Sequence, residues 1–249
     1  MRNLLKADLQ RITAKRSIWI VIALSAVVLA IMLAAYMEIG FDEGLSFVRG
    51  GHEALSDINL IFGFVLLLGV FSDEFKYMVM IRTIGGGVSR KKYVIAKFLD
   101  TLILTLQVHV IFAVVTAIVG AVYGVSLTKG EMLFLVLSFL FSIAMTVSSI
   151  TISSIFFYLT GSAVFGAIAY LTVTFVLPVV LEIMKIIPES AKYHLERWSV
   201  DGFINKAVTL YLMGAVGEGV MVTAAMLVIF VGAAGAISYA VFRKKELDF

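Results

Sequence analysis

The feature that most constrains this chain is a run of 50 residues, Met132 to Leu181, without a single charged side chain. A helix rises 1.5 Å per residue, so about 20 apolar residues cross a hydrocarbon core of ~30 Å. Fifty are too many for one crossing and suit two crossings joined by a tight turn. Thr160, Gly161 and Ser162 are small, helix-weakening residues near the middle of the run, and they predict a hairpin there with spans over 132–158 and 163–181. Pro178 falls near the end of the second of these, and Pro188 is read as a loop proline.

The same count along the rest of the chain predicts four more spans. Residues 17–37 are charge-free for 21 residues, 101–128 carry no formal charge apart from a possible proton on His109, and 220–242 are charge-free for 23. Residues 58–72 are the anomaly, with only 15 residues before Asp73 and Glu74. The expected fold is therefore an all-α membrane protein of six transmembrane helices, forming one transmembrane domain over 1–249. Composition agrees: 61% of residues are hydrophobic and 15% charged, against about a half and about a quarter in soluble domains. A soluble core this apolar would lack the polar residues to clothe its surface. The basic start followed by 17–37 imitates a secretory signal, but that run exceeds the ~7–15 residues of an h-region and no A-x-A site follows, so a retained helix is expected.

Lysine and arginine distribution sets the expected orientation. One side receives Arg2, Lys6, Arg11, Lys15, Arg16, Lys76, Arg82, Arg90, Lys91, Lys92, Lys97, Arg243, Lys244 and Lys245; the other receives Arg49, Lys129, Lys185, Lys192, Arg197 and Lys206. Fourteen against six puts both termini and the segment 73–100 in the cytoplasm, with 38–57 and 182–219 outside. The net charge of only +3 gives little support to nucleic-acid binding, and the absence of cysteine excludes disulfides and thiolate-ligated metals within the chain.

Three segments between spans carry further expectations. In 1–16, Leu5, Leu9 and Ile12 repeat at helical spacing while Arg2, Lys6, Arg11 and Lys15 supply charge for lipid headgroups, the pattern of an interfacial amphipathic helix. In 182–219, the ten apolar residues from Ala207 to Val216, supported by Gly214, Gly217 and Gly219, suit either a re-entrant dip or an ordinary outer helix. In 73–100, Gly85, Gly86 and Gly87 interrupt helix, Ser89 can cap a new one, and Arg90, Lys91 and Lys92 keep this part out of lipid. A short cytoplasmic helix is expected there, with Ile81, Ile84 and Val88 exposed among the cations for docking on a partner; the plainer reading is a basic loop that enforces topology.

Asp73 and Glu74, just after the second span, either pair structurally with Lys76 or Arg82 or face a wet cavity and couple protons or substrate, the ion pair being favoured, and His109 is expected to serve helix packing, since no second ligand lies at metal spacing. Ser148, Ser149, Thr151, Ser153 and Ser154 suggest close helix packing before they suggest a nucleophile. Gly120 and Gly124 form G-x-x-x-G, and Ser162, Gly166 and Tyr170 mark a small face on the fifth span.

With Glu74 ending the second span, a basic, glycine-bearing segment, then Val88-Ser89-Arg90 and Lys97 leading into the third, the sequence resembles the membrane permeases of type-2 ATP-binding-cassette (ABC) exporters. These include bacterial permeases tied to peptide export and lantibiotic immunity. The layout of amphipathic first helix, six spans, tight fourth-to-fifth turn and large outer loop is similar too. The resemblance implies that residues around 75–97 form a coupling helix for a separate cytosolic ABC ATPase, with Glu74, Arg82, Gly85, Gly86, Gly87, Val88, Ser89, Arg90 and Lys97 as the coupling set. It implies a pair of permeases, read as a homodimer in a bacterial plasma membrane, exporting hydrophobic or amphipathic substrates such as antimicrobial or toxic peptides. The path would lie between the two copies, with Phe62, Phe64, Phe71, Phe165, Tyr170 and Phe175 as candidate lining. No G-x-x-x-x-G-K-[ST] occurs, so ATP and Mg would belong to the partner, and this chain carries no cofactor and is no enzyme by itself. The competing readings are a self-contained channel or ion-coupled carrier, and an intramembrane serine protease built on His109 and a fourth-span serine.

Overall fold

The computed structural model describes residues 2–39, 43–76, 79–184, 197 and 199–245. The expected loop proline Pro188, and Lys185 and Lys192 of the outer segment, lie outside these residues. All regular structure among the described residues is helical: α1 (Arg2–Thr13), α2 (Arg16–Ile39), α3 (Glu43–Lys76), α4 (Val79–Gly85), α5 (Arg90–Val122), α6 (Lys129–Thr160), α7 (Ala163–Met184), α8 (Val200–Leu212) and α9 (Val216–Lys244). Six of them, α2, α3, α5, α6, α7 and α9, are long and apolar enough to cross a membrane. The protein is thus a six-span helical bundle of multi-pass membrane type.

The most buried span is α6, and α9 is the least. Around α6 pack α3, α5, α7 and α9, while α2 lies against α3 and α5. Many outward side chains of α2, α7 and α9 are apolar and exposed, among them Ile20, Val164 and Val228. Lipid is the solvent that accepts such a surface.

The second span departs most from expectation. The helix that carries it is long: α3 starts at Glu43 and runs 34 residues, so much of 38–57 is helix where a loop was expected. The charges that break the hydrophobic run are the reason. Leu45, Arg49, Glu53, Asp57 and Ile61 are all exposed and four residues apart, one stripe down the helix, while Phe47, Val48, Ala54, Leu55 and Ile58 turn inward. Glu53 accepts a hydrogen bond from the Tyr36 hydroxyl of α2.

The third span also shifts. It begins at Arg90 and ends at Val122, with Gly124 at φ 66° in the turn that follows. That breaks the G-x-x-x-G reading, for only Gly120 packs against another helix, at Phe47. The fourth begins on a capping box of Thr128 and Glu131 and ends at Gly161 with φ 75°, where the hairpin turn was expected.

Within α7, residues Thr172–Val176 are π-helical just ahead of Pro178. Proline has no N–H to give and its ring crowds the carbonyl four residues back, here that of Thr174; the wider turn relieves both. A second π-helical stretch, Leu227–Ala233, lies in α9. Between the last two spans α8 and the start of α9 form a hairpin that turns at Gly214, φ 83°. The two arms meet where a Cβ on Gly219 would fall 2.9 Å from the carbonyl oxygen of Ala207.

Candidate functional site

At the end of the bundle where α3 finishes and α5 begins, charges are buried together. Glu74 is in the last turn of α3, and Asp73 precedes it. Lys97 and Asp100 sit three residues apart on α5, one turn after Tyr93, so all three share a face. From α1, Asp8 and Ile12 turn inward beside Arg11. Glu74, Lys97, Asp100 and Tyr93 are each at most 1% exposed.

Lys97 Nζ is the centre: it lies 2.6 Å from Glu74 Oε1, 2.7 Å from Asp8 Oδ2 and 3.8 Å from Asp100 Oδ2. Glu74 Oε1 also accepts from Arg11 at 2.6 Å, and its other oxygen accepts from the Tyr93 hydroxyl. Arg11 reaches Asp8 at 3.4 Å and Asp73 at 3.9 Å, and Lys15 holds Asp73 at 2.6 Å. Burial by itself would lower the Arg11 guanidinium, but Glu74, Asp8 and Asp73 outweigh it and raise it above its ordinary value. Four carboxylates and three cations, from α1, the turn after it, α3 and α5, therefore form one network. Neither oxygen of Asp100 has a hydrogen-bond partner among the described residues.

This corrects two expectations. Asp73 and Glu74 pair with Arg11, Lys15 and Lys97, whereas Arg82 is exposed and the Lys76 side chain lies outside what is described. Two of the four cations expected to lie on lipid headgroups, Arg11 and Lys15, are turned into the protein, while Lys6 stays exposed.

From this network the chain projects outward. Helix α4 carries exposed Arg82 and ends at exposed Gly85, followed by exposed Gly86 and Gly87, the last at φ 91°, a left-handed turn that a side chain would strain. Ser89 then caps α5, its side chain accepting from the Lys92 N–H at 3.4 Å, and Lys91 and Lys92 are exposed. The short helix thus precedes the glycines, and the helix after Ser89 is the third span itself. Ile84 and Val88 are partly buried on the core, not free for docking. Arg90 is engaged too: its guanidinium donates to the carbonyls of Phe242, Arg243 and Lys245 at 2.7–2.9 Å and lies over the Phe242 ring. It closes the last turn of α9, whose free carbonyls attract a cation.

Of the nine coupling candidates, the exposed ones are Arg82, the three glycines and Ser89. Glu74 and Lys97 are buried beneath them, and Val88 and Arg90 are partly buried between. The aromatic candidates share no chamber. Phe62, Phe71 and Tyr170 are core residues, Phe64 is partly buried against Tyr170, and Phe165 and Phe175 point outward.

Deeper in the bundle is a second polar cluster, and this one is neutral. Asn59 donates to Ser142 Oγ at 2.8 Å, and its own side-chain oxygen lies 3.0 Å from the Thr146 hydroxyl. The Tyr170 hydroxyl donates to the Asn59 carbonyl at 2.7 Å. Such an approach requires Gly63, where a Cβ would fall 2.0 Å from that hydroxyl. His109 Nδ1 lies 2.8 Å from the Thr105 carbonyl and Nε2 2.7 Å from Ser142 Oγ. A carbonyl only accepts, so Nδ1 carries the hydrogen and Nε2 accepts from the serine.

A histidine and a serine of the fourth span are thus in contact, the pair a serine hydrolase would need. Yet Ser142 also accepts from Asn59, and aromatic rings of Phe62, Phe112 and Phe139 surround the imidazole. The cavity that touches Ser142 has a volume of about 10 Å³. A nucleophile must meet a carbonyl carbon at about 3–3.5 Å, and that space admits none. The hydroxyls of Thr151 and Ser153 bond the carbonyls one turn back, and Ser154 Oγ meets Ser238 Oγ of α9 at 3.0 Å, as close packing requires.

No metal-ligand group of three acidic or histidine residues occurs among the described residues. No protein-family model matches the chain, and neither does any curated protein.

Proposed function

We propose that this chain is the transmembrane permease subunit of a type-2 ABC exporter, driven by a separate cytosolic ATPase that holds the ATP and Mg. Two copies would form the transport unit, and the substrates would be hydrophobic or amphipathic molecules, with peptides the class the resemblance favours. In this reading both termini and residues 77–92 face the cytoplasm of a bacterial cell, as the lysine and arginine distribution suggests.

The observation that carries the proposal is the seating of the projecting segment. Arg82 on the short helix α4 and Lys91 and Lys92 in the first turn of α5 stand out as exposed cations, while the chain on either side is anchored in buried charge at Glu74 and Lys97. A loop that only enforced topology would need neither the helix nor the anchor. Any push on 79–92 reaches α3 through Glu74 and α5 through Lys97, and Asp8 with Arg11 carries it to α1. Buried ion pairs hold their partners firmly, because separating them leaves a charge in a medium that solvates it poorly. Three elements would then tilt together when the motor closes. Arg90 would take the last span along, since it holds the end of α9.

The test starts from membranes of the native host. The tagged chain, purified in mild detergent, is expected to bring down Mg-dependent ATP hydrolysis. Arg82→Glu combined with Lys92→Glu alters only exposed cations and is expected to lose that activity while inserting and folding normally. Undiminished hydrolysis with the double variant would remove the coupling assignment, and none with the wild type would remove the exporter reading.

A further inference from the structure

The least buried span, α9, leaves a long groove between itself, α5 and α6. One part, of about 390 Å³, touches Lys91, Lys97, Tyr158, Gly235 and Tyr239; the next, of about 630 Å³, continues past Leu102 and Ala224 to Val220. The two share Phe98, Val231 and Gly232, so they form one track. Each volume falls within the roughly 300–1,000 Å³ of small-molecule sites. Along α9 the track runs from Tyr239 to Val220, roughly 28 Å at the rise of a helix, close to the thickness of the hydrocarbon core.

Its chemistry is uneven. The walls are apolar over most of the length, and the charged residues touching it, Lys91 and Lys97, are both cations at one end. Lys97 is neutralised by Asp8 and Glu74, which leaves Lys91, exposed, as the free charge at the mouth. Arg243, also exposed, follows Tyr239 by four residues and extends the same face of α9 one turn further. Tyr158 is 1% exposed and lines the same end, and its hydroxyl has no hydrogen-bond partner among the described residues. Gly232 and Gly235 keep the wall low: a Cβ at either meets nothing within 4 Å.

We infer that this groove is a binding site for an anionic phospholipid, one acyl chain lying between α5 and α9 and the phosphate held at Lys91 and Arg243. A long apolar track with cations at one end matches a molecule that is anionic at one end and hydrocarbon along the rest. A neutral lipid would leave the cations unused, and the flank of a second copy would need acidic side chains opposite Lys91. A bound chain would supply α9 with the packing that its own neighbours leave out. Lys91 also belongs to the projecting segment, but the lipid site is read in vesicles that hold no ATPase, so either assignment can fail without the other.

The full chain is reconstituted in vesicles of phosphatidylglycerol or of phosphatidylcholine, each doped with the same lipid carrying a diazirine in its acyl chain, and cross-linked peptides are mapped. Labelling of residues in the track is expected to favour phosphatidylglycerol by roughly fivefold, the effect of about one interfacial cation. Lys91→Gln should remove the preference. Gly232→Leu with Gly235→Leu, at positions where an added Cβ meets nothing within 4 Å, fills the track and should abolish labelling there while other lipid-facing peptides remain labelled. Excess unlabelled phosphatidylglycerol should suppress the track signal in the unaltered protein, a readout that needs no variant to fold. Equal labelling by the two lipids, a signal that survives the filled track, or peptides of a second copy cross-linked there in place of lipid would each overturn the proposal.

Discussion

The charged end of the bundle and its neutral middle do the same work with different chemistry. At the end, Lys97 joins α1, α3 and α5 through carboxylates. In the middle, Asn59 and Ser142 join α3 to α5, α6 and α7 through amide, hydroxyl, imidazole and carbonyl groups. Neutral hydrogen bonds are directional and short-ranged, so they fix one arrangement. Ion pairs act over longer distances, and in a low-dielectric setting they hold even as their members shift by an ångström or two. Beside the projecting segment the protein has the linkage that tolerates movement. At mid-bundle it has the one that does not. In the proposed exporter, the difference would make the middle a pivot and the charged end a lever arm.

Replacing the hub would break the comparison hardest. Lys97→Met leaves Asp100 buried without its cation and Asp8 and Glu74 with Arg11 alone, and is expected to cost about 3–5 kcal/mol. Thermal or denaturant unfolding in detergent checks this, and Glu74→Gln added to it should restore part of the loss, because it removes one of the stranded charges. A wild-type transition in the single variant would show that the network bears no load.

Asn59→Ala tests the pivot. It leaves Ser142 and Thr146 to find other partners, and a loss of about 1–3 kcal/mol is expected from unsatisfied buried groups. Polar contacts within membranes average nearer ~0.6 kcal/mol where alternatives exist, so a value at that lower level would mean the cluster repacks and is no fixed pivot.

The smallest effect on stability belongs to the surface. Arg82→Glu with Lys92→Glu should leave unfolding within ~0.5 kcal/mol of the wild type, as exposed substitutions do. A large loss would place those side chains in the fold and not at a docking surface.

The six crossings were legible because lipid demands long apolar runs and the sequence has them. The extent of the helix carrying the second span was not legible because charge was counted along the chain and not around it: Arg49, Glu53 and Asp57, at intervals of four, occupy one exposed stripe. The site was half legible. Glu74 and Lys97 stood out beside the glycines, but Asp8, Tyr93 and Asp100 did not. Reading 90–100 as helix would have put Tyr93, Lys97 and Asp100 on one side. That α1 supplies Asp8 and Arg11 could not be read, since a basic amphipathic helix looks the same whether its cations meet lipid phosphate or protein carboxylate. Arg90 was misleading in the same way, for nothing local tells that its partners are carbonyls 152 to 155 residues away.

The central claim is that 79–92 meets a motor protein. A photo-cross-linking amino acid in place of Arg82, introduced in the native host, tests it most directly. The account predicts a cross-linked cytosolic protein that carries a G-x-x-x-x-G-K-[ST] motif. Cross-links confined to lipid or to this chain itself would contradict it.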